Sequence, residues 1–295
     1  MSILEVAYLG PAGSFSHLVA KQNFANQEVH FVNAPTIPDV IEYVQERPGS
    51  KGIVPIENSS AGFLLDTIDM LMSPRCTLRI QQEISMHIRL ALLGRTSEEI
   101  RRVYSHHVPL LHCGPWLREN YPAAEHCKAL STSEAARIVV GETHAAAICN
   151  REAAELYGLD ILAFPIDEQR VNLTQFFCIG HADPAQEAAA RAETGGSDAA
   201  AGAEARPYET TLSASVKNQA GSLVDFLLPF RNNGVNLKRI MSRPIAGQPN
   251  HYVFFVSAEA GEFEPRMQAA MAQAGTACEE LRSLGSYPRE APYQS

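Results

Sequence analysis

The sequence lacks an excess of basic charge, paired cysteines and long apolar runs, and each lack excludes a class of protein. With 24 Lys and Arg against 33 Asp and Glu, the formal net charge is -9. A chain with this negative charge is poorly suited to bind the phosphate backbone of a nucleic acid, so we predict no nucleic-acid partner. The six cysteines are scattered without a CxxC pair. This pattern predicts reduced thiols, a cytoplasmic location and no metal site.

The first residues, MSILEVAYLGPAGSFSHLVA, lack a basic start followed by an uninterrupted apolar core and a small-residue cleavage site. We therefore expect no secretory signal. No apolar run approaches the length that spans a bilayer, which predicts no membrane partner. At 295 residues with 45% hydrophobic and 19% charged residues, the chain is typical of a folded protein with two domains.

One stretch with no large apolar side chain divides the chain. From Asp183 to Pro207 it is rich in Ala, Gly and acidic residues, which predicts a flexible linker between a domain at 1–182 and a second at 208–288. Its Ala content can support a transient helix. With nothing to bury, such a helix would be marginal in water.

Before the linker, short apolar strands alternate with helical patterns. A strand through Val6 to Leu9 is followed by a turn and a helix, and a buried strand over Gly52 to Ile56 precedes another helix. Capping-box spacing at Ser131 to Glu134 and the stop at Gly158 add two more helices. This alternation predicts an α/β domain with mainly parallel sheets.

After the linker, the pattern changes to βαββαβ in about eighty residues, the ferredoxin-like order. Strands are predicted at Thr210–Val216, Val235–Ser242, Tyr252–Val256 and Cys278–Leu284, with helices at Gly221–Phe230 and Pro265–Gln273. Such sheets often pair edge to edge, so a dimer is expected.

Hydroxyl and amide side chains gather at the strand-to-helix junctions of the first domain. Helix N-termini carry unpaired N–H groups and partial positive charge, so a cleft lined by several would hold a small carboxylate. The alternative is that each residue merely caps a helix. The residues are Ser14, Ser16, Asn58, Ser59, Ser105, Ser131 and Thr132.

These junctions resemble, in the same order, the motifs of the prephenate dehydratase family. GPAGSFS at 10–16 resembles GPxGTFS, PIENS at 55–59 with Gly62 resembles PxENSxxG, Ser105-His106 with Cys113 resembles SHPQxLxQC, STSEAA at 131–136 resembles STxxAA, and NLTQF at 172–176 resembles NxTRF. The resemblance implies a two-lobed catalytic domain of the periplasmic-binding-protein type II, with the chain crossing between lobes near Ile80–Leu90 and Phe164–Asn172. The substrate cleft would lie between the lobes.

The resemblance also implies the reaction, which expels carbon dioxide and a ring hydroxyl from prephenate to give phenylpyruvate, without a cofactor or metal. It assigns Thr174 to ease the departure of the hydroxyl, and we expect Glu57, Asn58 and Ser105 to assist as catalytic residues. The substrate-binding residues are expected to be Ser14, Ser16, Ser59, His106, Ser131, Thr132, Asn172, Gln175 and Phe176.

The second domain resembles an ACT regulatory domain. Gly221-Ser222-Leu223 stands where the family has GAL, and Met241-Ser242-Arg243-Pro244 where it has ESRP. The resemblance implies feedback control by an amino acid, phenylalanine in the family, bound at a subunit interface of a homodimer or homotetramer. The expected effector residues are Gly221, Ser222, Leu223, Asn236, Ser242, Arg243 and Pro244.

Several positions depart from the family motifs. Gln175 replaces an arginine, a loss worth about 1.5–3 kcal/mol for a bond to a charged group. His107, Val108 and His112 alter the SHPQxLxQC stretch, and Met241 removes a charge from ESRP. Three functions therefore stay open: a prephenate dehydratase, a relative acting on arogenate or another prephenate-like acid or decarboxylating without aromatising, and a non-catalytic small-molecule sensor.

Overall fold

The computed structural model describes residues 3–95, 99–167, 172–194, 207–245, 251–288 and 293–294. The strands are β1 Leu4–Leu9, β2 Val29–Ala34, β3 Lys51–Asn58, β4 Gly62–Phe63, β5 Arg79–His87, β6 Ala91–Gly94, β7 Arg102–Ser105, β8 Glu125–Lys128, β9 Ala145–Cys149, β10 Asp160–Ala163, β11 Leu173–Gly180, β12 Tyr208–Val216, β13 Leu237–Pro244, β14 Tyr252–Ala258, β15 Cys278–Pro288 and β16 Tyr293–Gln294. The helices are α1 Phe15–Asn23, α2 Ile37–Glu46, α3 Leu65–Met72, α4 His107–His112, α5 Gly114–Asn120, α6 Thr132–Val140, α7 Glu152–Tyr157, α8 Pro184–Thr194, α9 Ser222–Asn232 and α10 Pro265–Ala274.

The strands form a mixed α/β fold with three sheets. Sheet A has the order β16-β5-β11-β3-β1-β2, with β4 paired to β3, and sheet B has the order β10-β6-β9-β7-β8. In sheet A, β1 runs parallel to β2 and β3, whereas β11 runs antiparallel to both β3 and β5. In sheet B, β7 is parallel to β8 and β9, whereas β6 is antiparallel to β9 and β10.

The prediction of mainly parallel sheets is therefore wrong. Both sheets are mixed, because β11 in sheet A and β6 in sheet B each run antiparallel to the strands on both sides of them. Hydrophobic periodicity reports which residues are buried and not the direction of a strand, so the sequence could not distinguish the two arrangements.

Two adjacent chain segments connect sheets A and B. The chain leaves sheet A after His87 and returns from sheet B before Leu173. The backbone N–H of Ile88 donates to the Asn172 carbonyl at 2.7 Å, and that of Ile166 donates to the Leu90 carbonyl at 3.0 Å. The crossings that the resemblance implies, Ile80–Leu90 and Phe164–Asn172, overlap these segments, although Ile80 to His87 belong to β5.

Sheet C has the antiparallel order β13-β14-β12-β15, and its elements follow the βαββαβ order predicted from the sequence. Helices α9 and α10 pack on one face, with Phe226, Phe230 and Met267 fully buried. The other face packs on sheet A, where the Phe177 ring lies 5.8 Å from that of Tyr287 and 6.5 Å from that of Phe255.

Sheets A and C approach each other closely at Gly285. A Cβ atom at this position would lie 2.1 Å from the backbone carbonyl oxygen of Ile80. Only glycine lets the two backbones come this near.

The predicted linker is partly helical, since α8 covers Pro184–Thr194. The rest of the linker, 195–206, lies outside the described residues. Among the helices of the described ranges, none is long and apolar enough to cross a bilayer.

Candidate active site

The central feature of the candidate site is a hydrogen-bonded trio at the ends of β3 and β11. Thr174 lies opposite Asn58 in the antiparallel register of these strands. The Asn58 amide nitrogen Nδ2 donates to Thr174 Oγ1 at 2.8 Å and to Asn172 Oδ1 at 2.9 Å. The sequence assigned all three residues to the site, and the structure brings them together.

The orientation of the Asn58 amide is fixed by its own hydrogen bonds. Its Oδ1 accepts from the backbone N–H groups of Ser60 and Ala61, both at 2.9 Å. Oδ1 faces two backbone donors and Nδ2 faces the acceptor Asn172 Oδ1, so a flipped amide would lose three of these four bonds and keep only a bond donated by the Thr174 hydroxyl. Thr174 Oγ1 thus accepts from Asn58, which leaves the threonine proton for another acceptor. Thr174 is partly exposed rather than packed in the interior.

Ser59 fastens the end of β3 to β11. Its Oγ accepts from the backbone N–H of Leu173 at 3.0 Å, and its own N–H donates to the Leu173 carbonyl at 2.9 Å. The structure therefore places Ser59 beside the trio, where it holds the backbone of the Thr174 strand.

Glu57 and Gln175 lie on the opposite face of sheet A from Thr174. Successive side chains of a strand alternate between faces, and Phe177, two residues after Gln175, packs against sheet C. Glu57 Oε2 accepts from Arg239 Nε at 2.9 Å, and Gln175 Oε1 accepts from Arg239 at 2.6 Å. The expectation that the Glu57 side chain neighbours Thr174 is corrected, because Glu57 faces sheet C. Gln175 faces sheet C as well, and its substrate-binding role stays a prediction.

Three further predicted residues are buried within the fold. Ser105 is fully buried, and its Oγ donates to the Ile148 carbonyl at 2.8 Å. Phe176 is 1% exposed and belongs to the core between sheets A and B, and Ser16 is 5% exposed. The Ser105 hydroxyl proton is thus used between strands β7 and β9, and the catalytic role of Ser105 stays a prediction. Phe176 and Ser16 likewise pack in the core rather than line an open surface.

The N-termini of two helices are capped by predicted residues. Ser14 Oγ accepts from the His17 N–H at 3.2 Å and donates to the Leu9 carbonyl at 2.7 Å. Ser131 Oγ accepts from the Glu134 N–H at 3.0 Å. Both serines therefore cap their helices, and each cap satisfies only one N–H group of its helix.

Thr132 and His106 also lie at helix starts. Burial raises the pKa of the Cys149 thiol to about 12, against the lowering effect of a hydrogen bond from Thr132. Burial and, secondarily, the neighbouring His107 lower the pKa of His106, and the two imidazole rings lie 4.2 Å apart. Burial therefore favours the neutral form of the His106 imidazole.

Two residues that sequence reasoning missed join sheet B to the first turn of the chain. Asn150 Nδ2 donates to the Gly13 carbonyl at 2.6 Å, and the Tyr157 hydroxyl donates to the Ala12 carbonyl at 2.9 Å. Asn150 follows the buried strand β9 directly, which was a signal that could have identified it.

The residues expected to bind an effector fall in three places around sheet C. Gly221 adopts a left-handed conformation with φ 91° at the start of α9, Ser222 is buried there, and Leu223 is exposed. At the end of β13, Ser242 and Pro244 are exposed, while Arg243 pairs with Asp69 of α3 at 2.6 Å. Asn236 Nδ2 donates to Glu259 at 2.7 Å.

The family model described as prephenate dehydratase matches residues 6–184 of this chain. A bifunctional chorismate mutase/prephenate dehydratase of Stutzerimonas stutzeri is 34% identical over 288 residues, which are 97% of this chain and 73% of that protein.

Two solved structures share the fold. A prephenate dehydratase from Arthrobacter aurescens in complex with L-Phe has a TM-score of 0.83 and 26% identity, covering 97% of this chain and 90% of that chain. GqqA, described as a novel type of quorum-quenching acylase, has a TM-score of 0.82 over 97% of this chain and 98% of that chain. At 24% identity, GqqA is evidence for the fold alone.

Proposed function

Because the chain belongs to the prephenate dehydratase family, we propose that it converts prephenate to phenylpyruvate with loss of carbon dioxide and water. The observation that carries this proposal is the hydrogen bond from Asn58 to Thr174 Oγ1. That bond leaves the threonine proton for the ring hydroxyl of the substrate.

The reaction requires few catalytic groups from the protein. The bond between the ring and its carboxylate breaks, its electron pair enters the ring, and the ring C–O bond breaks on the far side to complete the aromatic system. One proton is consumed as hydroxide leaves as water, so prephenate dianion yields phenylpyruvate, carbon dioxide and water. Threonine is a very weak acid, so Thr174 assists by donating a hydrogen bond to the departing oxygen.

The carboxylates of the substrate are assigned to the helix starts. The N-termini of α1 and α6 carry N–H groups beyond those that Ser14 and Ser131 cap, and the helix dipole favours an anion there. The protein also holds the substrate so that its leaving group points toward Thr174, and this orientation contributes to the rate.

We propose that residues 1–182 form a two-lobed catalytic domain of the periplasmic-binding-protein type, and that residues 208–288 form an ACT domain. The two adjacent connections between sheets A and B support the first assignment, and the order of sheet C supports the second. The partly helical segment at 183–207 is then the connection between them.

Phenylalanine is the proposed effector, and a homodimer or homotetramer the proposed assembly. The L-Phe complex of the Arthrobacter aurescens enzyme supports the effector. Exposed Leu223, Val224 and Leu228 on α9 offer an apolar surface for a second subunit. All six cysteines are free thiols, which supports a location in the reducing cytoplasm.

Product identity tests the function. Purified protein is incubated with prephenate, and phenylpyruvate is followed by its ultraviolet absorbance in alkali. We expect rapid formation of phenylpyruvate. Turnover of arogenate alone, or a decarboxylated product that is not aromatic, would assign a related enzyme, and binding of prephenate without turnover would assign a sensor.

A further inference from the structure

Arg239 reaches from sheet C onto the face of sheet A that lies behind Thr174. The side chain is on β13 and is only 4% exposed. Its guanidinium donates to Glu57 at 2.9 Å, to Gln175 at 2.6 Å and to Glu83 at 2.7 and 3.1 Å. One side chain of the second sheet thus bonds to three strands of the first.

Two of these partners are the chain neighbours of the catalytic pair. Gln175 follows Thr174 in β11, Glu57 precedes Asn58 in β3, and Gln175 pairs with Glu57 in the strand register. Arg239 therefore bridges the two strands directly behind the Asn58–Thr174 hydrogen bond. A shift of either strand would change the position of the threonine hydroxyl.

The cluster around Arg239 is rich in carboxylates. Lys238 Nζ lies 2.7 Å from Glu83 and 2.8 Å from Glu209, and both of these carboxylates are buried. Three carboxylates are thus held by two cations, namely Glu57, Glu83 and Glu209 by Lys238 and Arg239. Buried carboxylates need such partners, so the cluster depends on Arg239 for its fixed, forked geometry.

Because residue 175 is a glutamine, the positive charge beside Glu57 and Glu83 must come from sheet C. Its neutral amide donates to Glu83 at 3.1 Å and accepts from Arg239, but it supplies no charge. An arginine at 175 would place a cation within sheet A itself, beside Glu57 and Glu83. In this chain the cation comes from another sheet, 64 residues further along.

We propose that Arg239 is a positioning residue for the reaction, which holds strands β3 and β11 so that Thr174 and Asn58 keep their catalytic geometry. The inference rests on the proposed function, because it concerns the alignment of the hydroxyl that assists the leaving group. It assigns a role in the reaction to sheet C that is separate from effector binding.

The test compares steady-state kinetics with prephenate for wild type, Arg239→Lys, Arg239→Gln and Gln175→Met. Misplacement of a reacting group by about 1 Å can cost on the order of 100-fold in rate. We expect Arg239→Gln and Gln175→Met to lower kcat by about tenfold or more while KM stays within about twofold. Arg239→Lys keeps the positive charge but loses the planar, forked guanidinium, so its kcat should lie between those of wild type and Arg239→Gln.

Arg282→Gln is the matched control. Arg282 also extends from sheet C to the first domain. It donates at 2.8–3.1 Å to four carbonyls at and after the C-terminal end of α3, those of Leu71, Met72, Ser73 and Cys76. It contacts neither β3 nor β11 through these bonds. We expect its loss to lower thermal stability while kcat stays within about twofold of wild type.

The double variant Gln175→Arg with Arg239→Gln moves the cation from sheet C to sheet A. We expect the double variant to reach most of the wild-type kcat, and this comparison with wild type holds even where the single Arg239→Gln variant folds poorly. Equal kcat in wild type and Gln175→Met, or a change confined to KM, would overturn the positioning role. Absence of turnover by wild type would overturn the proposed function and this inference together, whereas turnover that is indifferent to Arg239 would overturn the inference alone.

Discussion

Thr174 Oγ1 accepts a 2.8 Å hydrogen bond from Asn58 Nδ2 across the paired ends of β11 and β3. The direction of this bond decides the chemistry of the site. A threonine that accepts from an amide donates its own proton elsewhere, and the leaving hydroxyl of the substrate is the acceptor that the proposed reaction provides.

Asn58→Asp should reverse this bond. A carboxylate cannot donate, so Thr174 would donate its proton to the new carboxylate instead of to the substrate, and the contact of that carboxylate with Asn172 Oδ1 would be repulsive. We expect kcat to fall by about 100-fold, within the range for loss of acid assistance. The backbone bonds of Ser60 and Ala61 to Oδ1 are retained in this variant, so a cooperative thermal unfolding transition serves as the control that it folds. Wild-type kcat in Asn58→Asp would contradict the assigned direction.

Gly285→Ala should separate sheets A and C. The new Cβ would lie 2.1 Å from the Ile80 carbonyl oxygen, a backbone atom that cannot rotate away. We expect a loss of about 1–3 kcal/mol in the free energy of unfolding, as for other overpacked sites. Gly141→Ala is the control, because its Cβ would meet nothing nearer than 3.8 Å. Equal denaturant midpoints for the two variants would be evidence against the close approach of the sheets.

Glu83 should make stability depend on pH. Burial alone would raise its pKa, but the hydrogen bond and charge of Arg239, with the charge of Lys238, outweigh burial and hold the pKa below the ordinary value of 4.5. A carboxyl whose folded pKa is lowered contributes stability above its unfolded pKa, and that contribution is lost as the pH falls through the folded pKa. We therefore expect the free energy of unfolding to decline below about pH 4.5.

Glu83→Gln should weaken this acid dependence, which denaturant titrations at several pH values would reveal. Glu99→Gln provides the control, since Glu99 also pairs with an arginine, Arg101, but is exposed and screened by water. An acid slope in Glu83→Gln as steep as in wild type would show that other groups cause the decline.

The sequence predicted what depends on local chemistry. Ser14 and Ser131 cap α1 and α6 where the capping patterns indicated, and Gly158 ends α7 in a left-handed conformation. Thr174, Asn58 and Asn172 were assigned to one site from motifs 114 and 116 residues apart, and their side chains are bonded. The antiparallel direction of β6 and β11 was not predicted, because burial patterns carry no strand direction.

The sequence did not predict which face each site residue occupies. Glu57 and Gln175 stand in the same motifs as Asn58 and Thr174, but the two-residue period of a strand places them on the opposite side of sheet A. Their partner, Arg239, is 182 residues from Glu57. Only the packing of sheet C on sheet A brings these groups together, and no local pattern in the chain signals it.

The most direct test of the account is the rate of phenylpyruvate formation from prephenate by wild type, Thr174→Ser and Thr174→Val. Serine keeps a hydroxyl that can accept from Asn58 and donate to the substrate, whereas valine keeps only the shape. We expect Thr174→Ser to retain at least about a tenth of the wild-type kcat and Thr174→Val to lose about 100-fold or more. A Thr174→Val variant with the kcat of Thr174→Ser would contradict the claim that the threonine hydroxyl assists the leaving group.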